Sequence, residues 1–210
     1  MSSLKSRFMR DDVCEIGIDE CGRGCLWGPV CAAAVIWDME SLSDEAKNDP
    51  ILQSIKDSKQ ISANKRAKAA DYIKKNAKAY SIKMNNADRI DEINILQATL
   101  ETMHACLDEL NVKNSRILVD GTQFKNYPNC EHHCIIEGDN LYFSIAAASI
   151  IAKEFRDKWV LEQCEAQPSL DVKYNLKTSK GYGTKAHLNG IKIYGLDVHH
   201  RKTFGICKQY

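Results

Sequence analysis

Short apolar runs of strand length alternate along this chain with longer runs of helical spacing, and that alternation restricts the fold more than any other feature. Cys14 to Asp19 alternates and then runs into Gly22-Arg23-Gly24, as a strand entering a tight loop does. Pro29 to Trp37 is an almost continuous small and β-branched run, the pattern of a buried strand. Tyr80 to Met84 alternates like an edge strand, and Ile117 to Val119 and Cys134 to Ile136 are two further short strands. Between them, Ser62 is placed to cap a helix running to about Ala77. Glu92 to Leu110 sets Ile95, Leu96, Leu100, Met103 and Leu107 at helical intervals. The longest helix signal is Tyr142 to Cys164, whose small-residue patch, Ala146 to Ser149, permits close approach to its neighbours. The polar stretch from Asp38 to Asp49 reads as a surface connection. Beyond Pro168, Gly181-Tyr182-Gly183 reads as a turn before a helix from about Thr184 to Tyr194. The expected architecture is an α/β sheet with a C-terminal helical appendage, divided as a domain over residues 1–170 and a basic helical region over 171–210.

A chain of 210 residues buries a substantial core without staples. No apolar run approaches the roughly 20 residues that cross a bilayer, so a membrane role is not expected. The first ten residues are basic but lack the apolar centre of a secretory signal. Nine cysteines, an odd number, then point to reduced thiols and the cytoplasm. The net charge of +1 hides an asymmetry: from Lys173 onward there are eight Lys and Arg against one acid, Asp197. That tail suits a polyanion or forms a solvated basic face.

Four acids, Asp19, Glu20, Asp120 and Asp139, each read as following a short apolar strand. In α/β sheets, sites form just beyond strand ends. If the four converge, their oxygens suit Mg²⁺ or Mn²⁺. A pair of such ions about 4 Å apart can clamp the attacking and leaving oxygens of a phosphodiester. Spacing alone leaves a second reading open, because acids beside glycine are also turn formers and neighbouring strand residues face opposite sides.

The run Ile16-Gly-Ile-Asp-Glu-Cys-Gly-Arg-Gly24, continuing to Gly28-Pro29-Val30, closely resembles the signature of the ribonuclease HII family, the type 2 ribonucleases H. So do Asp57-Ser58-Lys59, Asn94-Ile95-Leu96, Val119-Asp120-Gly121 and Gly138-Asp139. Ser144 to Lys153 with Arg156-Asp157, Gly181 to His187, and His200-Arg201 continue the resemblance in the family's order. It implies a ribonuclease H-like mixed sheet flanked by helices, with a C-terminal helical region. It implies an endonuclease that uses divalent metals, cuts the RNA of RNA–DNA hybrids and incises 5′ of ribonucleotides embedded in duplex DNA, leaving 3′-hydroxyl and 5′-phosphate ends. Carried onto matching positions, Asp19, Glu20, Asp120 and Asp139 are the expected catalytic carboxylates and the ligands of two Mg²⁺ or Mn²⁺ ions. Eukaryotic relatives are longer and work with partner subunits, so a self-sufficient monomer is expected here. The chain departs from the usual pattern at Cys21, where alanine is usual, at Cys25, where proline is, and at Trp27, where a small residue is. Bulk at Trp27 could alter the fit of a duplex or repack the adjoining helix.

An enzyme for RNA in DNA must sense the 2′-hydroxyl, which both donates and accepts. Gly22 and Gly24 let the backbone approach a sugar, offering N–H and C=O groups, and Arg23 could steady a phosphate. Lys59 and Lys185 are candidate phosphate contacts, against a reading as exposed lysines. Tyr182, between glycines, could stack on a sugar or base, and by resemblance it senses the deoxyribose after the ribonucleotide. His187 and His200 are expected to be structural hydrogen-bonders. Cys130-Glu-His-His-Cys134 offers zinc-type ligands but lacks a second, separated pair, and a loop with incidental cysteines is the plainer reading. A catalytically silent nucleic-acid binder and a junction-resolving nuclease of the same fold are the competing functions. The acidic set argues against the first, and Gly22 to Gly24 with Tyr182 against the second.

Overall fold

The computed structural model describes residues 4–55 and 61–210. In chain order its elements are β1 (Glu15–Cys21), β2 (Val30–Ile36), α1 (Asp44–Asn48), α2 (Pro50–Ser54), α3 (Ala63–Asn76), β3 (Ala79–Asn85) and α4 (Ala87–Ile93). There follow α5 (Ile95–Glu109), β4 (Arg116–Asp120), β5 (Glu131–Ile135), α6 (Phe143–Ala166), α7 (Ser169–Tyr174), α8 (Leu176–Ser179) and α9 (Lys185–Tyr194). Short 3₁₀ turns occupy Gly138–Asn140 and Gly205–Gln209.

The five strands form one sheet in the order β3-β2-β1-β4-β5. β1 runs antiparallel to β2, and β2 to β3, while β1–β4 and β4–β5 are parallel. The expected mixed sheet flanked by helices is what forms, with β3 at an edge as its alternation suggests. Strand alternation divides the core. Ala33 and Val35 of β2 face α3 and α6, whereas Ala32 and Ala34, with Ile16, Ile18, Ile117 and Val119, face α5. Gly17 makes the first packing possible: a Cβ there would collide with the backbone of Ser144 and Ile145, so α6 lies directly on β1.

Several boundaries differ from the sequence reading, each for a local reason. The helix expected from Glu92 begins at Ile95, because Asn94 adopts φ 67° and breaks the run into α4 and α5. Its side chain then caps α5 by accepting from the Gln97 N–H at 3.1 Å. The Asp38–Asp49 connection contains α1, capped by Ser43. The Cys130–Cys134 segment is not a loop: Glu131–Ile135 is the edge strand β5, pairing with β4. Its pleat sets His132 and His133 on opposite faces, where they meet Phe124 and Phe8 respectively.

Residues after Pro168 form a third packing unit. Leu170, Tyr174, Leu176, Ile191 and Cys207 cluster with Val160 and Cys164 of α6 and with Leu26 and Trp27. α7 crosses the boundary expected at residue 170. No helix among the described residues is long and apolar enough to cross a membrane.

Candidate active site

β1 and β4 are adjacent and parallel, so their C-terminal ends lie at the same edge of the sheet, with β2 leaving to one side and β4 lying on the other. A crevice forms at such a switch point. Asp19 and Glu20 are part of β1 rather than beyond its end, and Asp120 is the last residue of β4. Asp139 stands apart from any strand, in the 3₁₀ turn three residues past β5's final pair. The expectation of acids directly after strands is therefore corrected for all four: Asp120 closes its strand, Asp19 and Glu20 lie within theirs, and Asp139 is set farther past β5.

A cleft of about 450 Å³ is lined by Asp19, Glu20, Asp120 and residues Cys21 to Gly24, together with Ser149, Lys153 and Tyr182. Asp19 is on the α6 side of the strand with Gly17 and Cys21, and receives a hydrogen bond from Ser149. Glu20 is on the other side and pairs with Arg23 at 3.4 Å. Both reach the cleft because the strand ends there. Asp120 is steadied by the Gly138 N–H, which donates to its Oδ1 at 2.8 Å, and that contact sets the neighbouring Asp139, 6% exposed, in place. The structure thus gathers three of the four acids in the cleft lining and puts the fourth one residue from a backbone group that grips the third.

Electrostatics mark the cluster as one that wants positive charge. Burial, then the charges of Glu20 and Asp120, push the Asp19 carboxyl well above the usual carboxylate range. Glu20 is raised as well, by burial and Asp120, against the pull of Arg23. Among the described residues no three His, Cys, Asp or Glu side chains form a ready-made cation cage. The donor chemistry nevertheless fits a hard divalent ion: the cleft's acids offer oxygen alone, and they repel one another unless a cation shields them.

Two arginines that are 0% exposed lie behind Gly22-Arg23-Gly24, Arg201 gripping the loop itself and Arg156 the segments that flank it. Arg201 donates to the carbonyls of Gly22 at 2.7 Å, Arg23 at 2.8 Å and Gly28 at 3.0 Å. Arg156 donates to those of Trp27 at 2.9 Å, and of Pro29 and Lys180, each at 2.8 Å. Burial lowers Arg201 to about 10. The carbonyls of Gly22 and Arg23 are therefore engaged, which corrects the expectation that the loop offers its C=O groups as well as its N–H groups to a sugar. The loop's exposed face at Arg23 and Gly24 has its N–H groups without acceptors among the described residues.

Tyr182 lies across the cleft from that loop, 40% exposed, bridged to Cys25 through the backbone. Its ring sits 5.7 Å from Lys153 Nζ, which is itself held at 2.7 Å by Asp157. Lys185 is exposed in the first turn of α9. Lys59, with the rest of Asp57-Ser58-Lys59, lies outside the described residues. His187 and His200 are buried and hydrogen-bonded, as expected. Trp27 is also buried, its ring packed against Trp159 of α6, and it does not line the cleft. Arg156, Arg201, Lys153 and Ser149 lie within the family-like runs, but nothing in the sequence assigns them a task. A side chain that grips carbonyls leaves no spacing signal.

The sheet order and the acids at the ends of its two central parallel strands define the class, a ribonuclease H-like hydrolase. The family model described as Ribonuclease HII matches residues 16–205, and the chain belongs to that family. Similar proteins include Ribonuclease HII of Parabacteroides distasonis, 40% identical over 96% of this chain and 95% of that one. That of Christiangramia forsetii is 43% identical over 94% and 93%. Among solved structures, ribonuclease H2 from Pyrococcus horikoshii OT3 matches with a TM-score of 0.70 at 22% identity, covering 93% of this chain and 95% of that one. Bst-RNase HIII in complex with Mn²⁺ matches with a TM-score of 0.65 at 21% identity, covering 94% and 68%. The chain is a type 2 ribonuclease H, an endonuclease that degrades the RNA of RNA–DNA hybrids, in a family that depends on divalent metal ions.

Proposed function

We propose that this enzyme also incises duplex DNA on the 5′ side of a single embedded ribonucleotide, leaving 3′-hydroxyl and 5′-phosphate ends. The observation that carries this reading is the pairing of Gly22-Arg23-Gly24 with Tyr182 across one acid-lined cleft. Arg23 and Gly24 present backbone N–H groups to a 2′-oxygen, while the tyrosine ring lies against the next sugar. A deoxyribose in the first position gives the loop nothing to hold, and a ribose in the second crowds the ring. Together they measure an RNA-to-DNA junction.

Asp19, Glu20, Asp120 and Asp139 would hold two Mg²⁺ or Mn²⁺ ions. Bound there, the ions supply a nucleophilic water and shield the phosphate's charge. The chain's own part is to exclude repulsion and to orient. Lys153 and Lys185 neutralise phosphates, with Lys59 as a third candidate, and Arg23 steadies one beside Glu20. Residues 171–210 act as a substrate-binding appendage to the domain over 1–170. The enzyme works as a cytoplasmic monomer.

One labelled duplex in three forms tests the reading: all DNA, singly ribo-substituted, and full hybrid. Cleavage of the last two and not the first is expected. Tyr182→Ala should lower incision at the single ribonucleotide by about five- to a hundredfold, the equivalent of about 1–3 kcal/mol of stacking, and Tyr182→Phe should lower it less. An enzyme that cuts long hybrids but never a lone ribonucleotide, with either metal, rules the reading out.

A further inference from the structure

The ring of Tyr182 points into the cleft, but its backbone is tied to a buried set of polar groups that takes no part in the chemistry above. The Tyr182 carbonyl lies 3.0 Å from His187 Nδ1, and His187 Nε2 lies 3.1 Å from His200 Nε2. His200 Nδ1 accepts from the Asp197 N–H at 2.8 Å, and the Asp197 carboxylate accepts from the Trp27 indole N–H at 2.9 Å. The direction of every bond follows from its ends. Because His200 Nδ1 accepts, its Nε2 carries the proton and donates to His187. His187 must then be protonated at Nδ1, which donates to the Tyr182 carbonyl. A single arrangement of neutral tautomers satisfies the whole line.

We propose that Trp27, Asp197, His200 and His187 are positioning residues for Tyr182, a relay that starts at a buried tryptophan and ends at the tyrosine's backbone. This rests on the reading of Tyr182 as the junction sensor. Two neighbouring contacts stiffen the line. The Gly181 carbonyl accepts from the Leu26 and Trp27 N–H groups at 2.9 and 3.3 Å, and Trp27 bridges to His200 through the backbone. Trp27 is further wedged between Trp159 and His199, each ring centroid 5.3 Å away. Burial keeps both imidazoles neutral by lowering them, His200 to about 4, which preserves the proton order at ordinary pH. Besides His187, the charged and titratable groups that face His200 are Asp197, His199 and, from α7, Tyr174, whose ring lies 4.8 Å from the imidazole. Asp197 is the one acid of the basic C-terminal run.

The test compares two rates in each variant: incision at a single ribonucleotide and cleavage of a full hybrid. Trp27→Phe keeps a ring against Trp159 and removes the N–H. It should lower the ratio of single-site to hybrid cleavage by about fivefold, the effect of one net hydrogen bond felt at the sensor. His187→Leu should lower the ratio similarly, and His187→Asn, whose amide N–H sits where Nδ1 was, should restore most of it. A merely structural role would lower both rates together, and would leave Asn and Leu alike. If Trp27→Phe melts, the Asn and Leu pair at His187 decides alone. An unchanged ratio in these variants, where Tyr182→Ala does shift it, overturns the relay. An unchanged ratio in Tyr182→Ala itself refutes the sensor, and the relay with it.

Discussion

Asp120 shows how much a single residue carries in this fold. Its Oδ1 accepts the Gly138 N–H, and its charge raises both Asp19 and Glu20. Asp120→Asn keeps an oxygen for Gly138 and opens no cavity, but removes the charge that a cation requires. Cleavage should fall by more than about a hundredfold with Mg²⁺ or Mn²⁺, while hybrid binding and the melting profile stay near wild type. Wild-type cleavage in that variant would rule out the carboxylate assignment. His200 makes a second prediction at this scale. Its folded-state value is depressed, so its contribution is present above the ordinary histidine value of 6.5 and is lost as pH falls toward about 4. Over that window wild type should lose up to about 3 kcal/mol that His200→Gln does not lose. Denaturant unfolding at pH 7, 5.5 and 4.5 reads the difference, and parallel losses in the two proteins would contradict the buried neutral imidazole.

At the scale of elements, the contact between α6 and β1 depends on Gly17. Gly17→Ala sets a methyl against helix backbone, which cannot swing aside as a flexible side chain does. The variant should lose about 1–3 kcal/mol in urea unfolding, and an unchanged midpoint would mean that α6 sits farther from the strand. How much of the architecture was legible follows from the same physics. Strands β1 to β4 and helices α3, α6 and α9 declared themselves because burial imposes a period on the residues that line it. The α4–α5 break did not, because a left-handed asparagine changes no apolar spacing. α7 and α8 were missed for a related reason: at six and four residues they are too short to display a period. The acids were legible as residue types at nearly correct addresses, yet their gathering depends on the parallel placement of β1 and β4, which no local pattern shows. The arginine clamps behind the glycine loop were illegible altogether, since a carbonyl is present at every position and selects no partner type.

Over the whole molecule, charge and packing make different demands on the C-terminal region. Its apolar residues are shared with Leu26, Trp27 and α6, so deleting it would strip a core cluster and unfold the cleft's wall rather than merely weaken binding. Its basic residues are a separate matter. From Lys173 onward the excess over acids is +7, and Lys177, Lys185 and Lys192 are all exposed. Exposed lysines that meet phosphate release counterions, and the logarithm of affinity then falls with the logarithm of salt by about 0.9 for each phosphate neutralised. Changing these three to Gln leaves the apolar cluster whole while removing the charge. Hybrid affinity, measured from about 50 to 200 mM salt, should fall in the triple variant and lose up to about 3 from its salt slope. Single variants apportion the loss, and Lys185→Gln should account for about 1, given its place at the first position of α9, directly after the Tyr182 loop. Affinity that drops with no change of slope would mean that the lysines act by shape or stability. A slope identical to wild type with affinity unchanged would make the tail a solvated face, and would leave Lys153 and the glycine loop to hold the duplex.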